Sequence, residues 1–229
     1  MHVPALPQSG DDVETAVRPL LRGWLHAAAG VGALMLAVAL AWQSRFDPPR
    51  LVTFLIFCVS MIELYTVSAV YHIGAWRPRI KRLLRALDHA NIFVLIAATY
   101  TPLCFNVLSG WTRGILLTAV WLLALAGIIV TLLLLGLPRR FATGMYVGMG
   151  WVALLALPAL AAALSWAAVG VLLLGGALYT IGGVVYARRR PDPFPCIFGF
   201  HEVFHLFVVA GSVTFAVIMC VWVLPFSRV

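Results

Sequence analysis

Residues 51–73 read LVTFLIFCVSMIELYTVSAVYHI, an apolar run broken by one acidic group, Glu63, and closed by His72. Its length matches the roughly 20 residues an α-helix needs to cross the hydrocarbon of a bilayer. The run lacks the alternating period of a barrel strand and is too long for one, and only helices and closed barrels span lipid. Outward from it, comparable runs cover approximately 24–42, 89–108, 114–135, 144–164, 168–187 and 198–224, separated by short polar, Pro-rich or Arg-rich joints. The expected fold class is therefore an all-α integral membrane protein, a seven-transmembrane helix bundle. Residues 1–22 read as a flexible polar leader and 23–229 as one membrane domain.

Composition excludes the alternatives. Hydrophobic residues make up 63% of the 229 and charged residues 10%, too much apolar area for a water-soluble globule of this size to hide. The leader, with Pro4, Pro7, Asp11, Asp12 and Glu14, lacks the basic start and short apolar core of a cleavable signal peptide. Cys58, Cys104, Cys196 and Cys220 are scattered, with no pair spaced as a zinc knuckle or redox motif, and read as small membrane-buried side chains. The net charge of +8 needs no nucleic-acid partner, because the basic residues flank the apolar runs, where anionic headgroups attract them.

The placement of those charges sets an expected orientation. Arg18, Arg22, Arg77, Arg79, Lys81, Arg82, Arg85, Arg139, Arg140 and Arg188 to Arg190 fall on one side of a seven-pass bundle, and only Arg45, Arg50, Arg113 and Arg228 on the other. Positive charge is retained in short cytoplasmic loops, so the N-terminus is expected in the cytoplasm and the C-terminus outside.

Three histidines then point to chemistry. His72 ends the second run, while His201 and His205 open the seventh as His201-Glu202-Val203-Phe204-His205. A spacing of four puts the latter two on one helix face, able to reach a single ion. With the second helix running toward the cytoplasm and the third and seventh away from it, His72, Asp88, His201 and His205 are expected in one layer just inside the cytoplasmic boundary. Ionisable groups inside a bilayer are costly and mark functional sites. Three imidazoles around Zn²⁺ leave a fourth position open, as in catalytic zinc sites. Asp88 would offset the ion's charge and accept a proton, and Ser68, four residues before His72, could hydrogen-bond a water or an oxyanion. A histidine pair alone could equally bond neighbouring hydroxyls or carbonyls, and Ser68 could bond back to its own helix. His26 and His89 read as interfacial hydrogen-bonding residues. The role of Glu202, adjacent to His201 but turned by about 100° around the helix, stays open, as does that of Glu63.

Several segments, taken in order, resemble the hemolysin III family. They are Pro19-Leu20-Leu21-Arg22-Gly23-Trp24-Leu25-His26, Ser68-Ala69-Val70-Tyr71-His72, Leu87-Asp88-His89-Ala90 continuing to Thr99-Tyr100-Thr101-Pro102, and Gly199-Phe200-His201-Glu202-Val203-Phe204-His205. That family is grouped with the progestin and adipoQ receptors (PAQR) and, more remotely, the alkaline ceramidases. The resemblance implies seven helices, a bacterial plasma-membrane location and a zinc ion near the cytoplasmic side, held by His72, His201 and His205 with Ser68 and Asp88 around it. One departure is visible: Thr214-Phe215 stands where many bacterial members carry a further histidine.

The ceramidase-like relatives imply a zinc-dependent hydrolase of a lipid amide, with membrane lipids as the partners. A different class is a receptor-like regulator of membrane lipid or energy homeostasis, in which zinc staples the second helix to the seventh. A pore-forming haemolysin has little support in a chain without an evident amphipathic hairpin. A site-2-type protease, suggested by the His-Glu-x-x-His pattern, would leave His72 unused.

Overall fold

The computed structural model of the chain describes residues 19–133 and 137–227. The leader up to Arg18, the expected end of the fourth run at Leu135, and Arg228 lie outside them. Among the described residues, seven helices are long and apolar enough to cross a membrane and there is no strand. The first four are α1 (Trp24–Gln43), α2 (Pro48–Ile73), α3 (Pro78–Val107) and α4 (Gly110–Leu133). The fifth span joins α5 (Arg139–Gly150), a 3₁₀ stretch (Trp151–Ala156) and α6 (Leu157–Ala163). The sixth is α7 (Trp166–Arg188), and the seventh is α8 (Phe200–Ile218) continued by a π-helical turn (Met219–Val223).

Local chemistry sets where these helices begin. Asp47 caps α2 by accepting from the Arg50 N–H at 3.3 Å, with Pro48 and Pro49 in the first turn, where a missing N–H costs nothing. Ser165 caps α7 by accepting from the Ala168 N–H at 3.2 Å. The third helix starts at Pro78, well ahead of the expected His89. Its first turns carry Arg79, Lys81, Arg82 and Arg85, which hydropathy excludes from a span although arginine and lysine are good helix formers. Asp88 consequently lies inside a formed helix and not at its ragged end.

The helices pack largely in chain order, α1 on α2, α2 on α3 and α3 on α4, with α7 on α8, α5 on α7, and α1 closing the ring against α8. The hub is α3: 83% of its most apolar stretch is buried, against 50% for α2, the next highest. Phe54, Phe57, Tyr65, Phe93, Ala97 and Cys104 make up much of the shared core. Outward faces stay apolar, with Val31, Leu34, Met35 and Val38 exposed on α1 and Leu122, Leu125 and Ile129 on α4, as a lipid solvent requires. Of the cysteines, Cys58 and Cys104 are buried while Cys196 and Cys220 are exposed.

Tyr100 of α3 explains the irregular fifth span. Its hydroxyl lies 3.1 Å from the Met149 carbonyl oxygen and 2.6 Å from that of Gly150, and accepts from the Ala153 N–H at 2.8 Å. Backbone groups freed from the regular α pattern thus find a partner inside the bundle, as they must in hydrocarbon. Pro158 follows and lacks the N–H that would otherwise bond to Leu154.

Close approach of α4 to α3 depends on a glycine. A Cβ at Gly127 would come within 2.2 Å of the Phe93 ring, which is 1% exposed and braced by Tyr146 at a centroid distance of 4.7 Å. Gly127→Ala is therefore expected to destabilise the bundle by about 1–3 kcal/mol through overpacking, lowering the melting temperature in detergent. Gly114→Ala on the same helix meets nothing within 4 Å and should leave the melting temperature unchanged or raise it. Equal melting temperatures for the two variants would contradict this packing.

Candidate metal centre

The polar groups expected in one layer do meet, at the end of the bundle where α2 finishes and α8 starts. A carboxylate fixes the first turn of α8. Glu202, wholly buried, accepts the Gly199 N–H on one oxygen at 2.8 Å and the Arg22 guanidinium on the other at 2.6 Å. Asp192 accepts the next orphan donor, the Phe200 N–H, at 2.8 Å. Glu202 thus closes a helix N-terminus and pairs with Arg22, so its oxygens are turned away from the work that the His-Glu-x-x-His pattern suggested.

The strap before α1 completes this end. Leu20 and Leu21 donate backbone hydrogen bonds to the Cys196 and Ile197 carbonyls at 3.0 and 3.1 Å, laying residues 19–23 against the loop that leads into α8. Gly23 then turns the chain into α1 with φ +86°, and a Cβ there would fall 2.9 Å from the Cβ of His72. Glycine is required on both counts.

With those supports, His72 of α2 and His201 and His205 of α8 each bring one ring nitrogen within 4.8 Å of the others'. Nε2 of His72 is 3.1 Å from Nε2 of His201, and the three ring centroids lie 4.4 to 5.3 Å apart. His201 and His205 are buried, and the His72 side chain is 9% exposed. Two imidazole nitrogens at such a distance share either a proton or a cation. Tetrahedral ligation at about 2.0–2.1 Å per bond would put ligand nitrogens about 3.3–3.4 Å apart, close to what His72 and His201 show.

Other groups fit a cation as well. Asp88 places Oδ2 3.8 Å from His72 Nε2 and 4.0 Å from His89 Nδ1. Ser68 is fully buried and its hydroxyl has no hydrogen-bond partner among the described residues, and the same holds for Nδ1 of His201 and of His205. A buried hydroxyl without a partner is rare, and a water held in the space beside Ser68 would satisfy it. The donor set is neutral imidazole with a nearby carboxylate, suited to zinc and to other divalent first-row ions.

His26 departs from the sequence reading. It is 2% exposed, neither ring nitrogen has a hydrogen-bond partner, and its ring stacks on His205 at 3.7 Å with a 12° tilt. Nothing in the run 24–42 distinguished it, because its place depends on how α1 lies against α8. His89 does make the hydrogen bonds expected of it, to the Arg85 carbonyl at 2.9 Å and the Tyr186 hydroxyl at 3.3 Å.

A cavity of about 130 Å³ opens beside the cluster. His26, Ser68, Asp88 and His205 line one end, and Leu103 and Leu172 are among the apolar residues lining the remainder. From Asp88 to Leu103 along α3 is about 22 Å at 1.5 Å per residue. The described cysteines take no part in the cluster.

The sequence comparisons agree with the fold. The "Haemolysin-III related" family matches residues 14–216. The chain is 36% identical to the "Hemolysin-3 homolog" of Bacillus subtilis (strain 168) over 197 residues, 84% of this chain and 88% of that one. It is 34% identical to the "Hemolysin-3" of Bacillus cereus over 204 residues, 86% of this chain and 89% of that one. Matched over nearly all of its apolar length, and built of seven helices that can cross a bilayer, the chain belongs to the haemolysin-III related family of multi-pass membrane proteins.

Proposed function

We propose that the protein is a zinc-dependent hydrolase of a lipid amide, acting near the cytoplasmic face of a bacterial plasma membrane with its N-terminus inside. One observation carries the reading: three histidines with metal-ligand spacing, next to a carboxylate, with His205 and Asp88 of this group lining a mostly apolar cavity. His72, His201 and His205 would hold the ion. Bound there with an open position, it supplies a Lewis acid and ionises water near neutral pH.

The remaining work falls to side chains. Asp88 takes a proton from the attacking water and returns it to the leaving amine as the C–N bond breaks. Ser68, buried and unpartnered, orients that water or donates to the developing oxyanion. The wall running from Ile92 to Leu103 takes the acyl chain, so the scissile carbonyl arrives from the membrane side at the depth of Asp88. A mostly apolar wall suits a hydrocarbon tail.

A second reading has its own support. The histidines join α2 to α8, helices that otherwise pack mainly through α1, so the ion would act as a staple in a receptor-like regulator without turnover.

Elemental analysis of detergent-purified protein should find about one zinc per chain, lost in both His72→Ala and His201→Ala. Metal-free wild type that remains well folded would overturn the zinc assignment. With a lipid amide as substrate, Asp88→Asn should keep fold and metal while turnover falls roughly 10²- to 10⁴-fold. Unchanged turnover would remove Asp88 from the chemistry. Under the staple reading, His72→Ala lowers the melting temperature to that of the chelator-treated wild type, and there is no turnover to lose.

A further inference from the structure

Glu63 stands apart from all of this. It sits on the exposed side of α2, about 15 Å from the Ile73 end of the helix and about 22 Å from the Pro48 end at 1.5 Å per residue, so it faces lipid deep within the span. Its short stem cannot carry the carboxyl to either boundary, as the longer lysine and arginine stems do nearer the ends of a span by snorkelling. No hydrogen bond or ion pair joins it to another described residue. A carboxyl so placed is costly in hydrocarbon unless something from outside the chain meets it.

The residues around it form a pattern. Val52, Val59, Glu63, Thr66 and Val70 are all exposed, and with half-buried Ile56 they follow alternating steps of four and three along one stripe of α2. Exposed Leu55 adjoins it, and the spacing is that of a helix side against which another helix can pack, with one polar residue in the middle. β-branched side chains dominate the stripe and lose little rotamer freedom on contact. A single polar group in such a stripe is the device that fixes register and partner number.

We propose that this stripe is where a second copy of the chain docks, α2 against α2, with the two Glu63 carboxyls hydrogen-bonded to each other. Two facts favour a second copy over a foreign helix. A copy inserted in the same orientation, related by a twofold axis along the membrane normal, brings its own Glu63 to the same depth without further adjustment. A carboxyl carrying its proton both donates and accepts, so the group is complementary to itself, and one proton held between the two carboxyls is enough for a hydrogen bond. The stripe lies away from His72, so the pairing leaves the metal centre of each copy intact.

The test is energy transfer between donor- and acceptor-labelled full-length chains mixed in phosphatidylglycerol/phosphatidylcholine vesicles, read as a function of lipid dilution. Wild type should show saturable transfer with the stoichiometry of a dimer. Glu63→Gln, which keeps a donor and an acceptor, should pair like wild type. Glu63→Leu should need roughly tenfold less lipid to fall apart. Because position 63 faces lipid, the leucine variant is expected to fold and to melt no lower than wild type, which circular dichroism checks. Monomeric wild type across the dilution series overturns the proposal. So does a dimer that Glu63→Leu leaves unchanged, which would put the interface elsewhere, or transfer from wild type only when a second membrane protein is added, which would make the occupant foreign.

Discussion

The buried carboxylate of Glu202 is the contact on which the rest of the site depends. One oxygen satisfies the first backbone donor of α8 and the other holds Arg22, so one side chain helps set both the start of α8, beside Asp192, and the position of the strap before α1, beside the Leu20 and Leu21 backbone bonds. His201 and His205 take their places from the first effect. His72 takes its place from the second, because the strap ends in Gly23, packed against His72 where no Cβ fits. In low dielectric a charged pair of this kind is strong only when its remaining lone pairs are also used, and here the Gly199 N–H uses one. Removing Glu202 or Arg22 would break this pair at the first turn of α8, so the disturbance would reach the histidine cluster.

Much of this is legible in the amino-acid sequence, and the reason is the solvent. Lipid forces each apolar run into a self-satisfied helix, so run length alone gave the spans, and costly polar residues inside them stood out against a bland background. His72, Asp88, His201 and His205 could be assigned to one layer by counting residues along antiparallel helices. Counting fails for contacts that depend on which way a helix is turned and which neighbour it meets. His26 is the clearest case, a histidine one turn into α1 that only the α1–α8 contact places face to face with His205. Glu202 is another, since its spacing resembles that of a general base and only the fold shows it spent on Gly199 and Arg22. The start of α3 at Pro78 was hidden because hydropathy reports where lipid ends and helices do not stop there.

The cavity follows from the same economy. Its mostly apolar wall is built from α2, α3, α5, α7 and α8, and its other lining includes His26, Ser68, Asp88 and His205. A fifth span broken at Trp151 and bonded through Tyr100 contributes several of the lining residues.

The described ends of the chain are each held by one arginine. Near the first, Arg22 grips Glu202; near the last, Arg50 donates to the Phe226 carbonyl at 2.5 Å and also to that of Leu224. Helical proteins come apart most readily by fraying inward from their termini, which are usually the least protected segments. Here the terminal helices α1 and α8 lie side by side, and each is anchored to another part of the ring by a charge-assisted bond. Opening must then start with the rupture of such a bond or in the middle of the chain. That arrangement predicts slow unfolding, a persistence in time distinct from depth of the energy well.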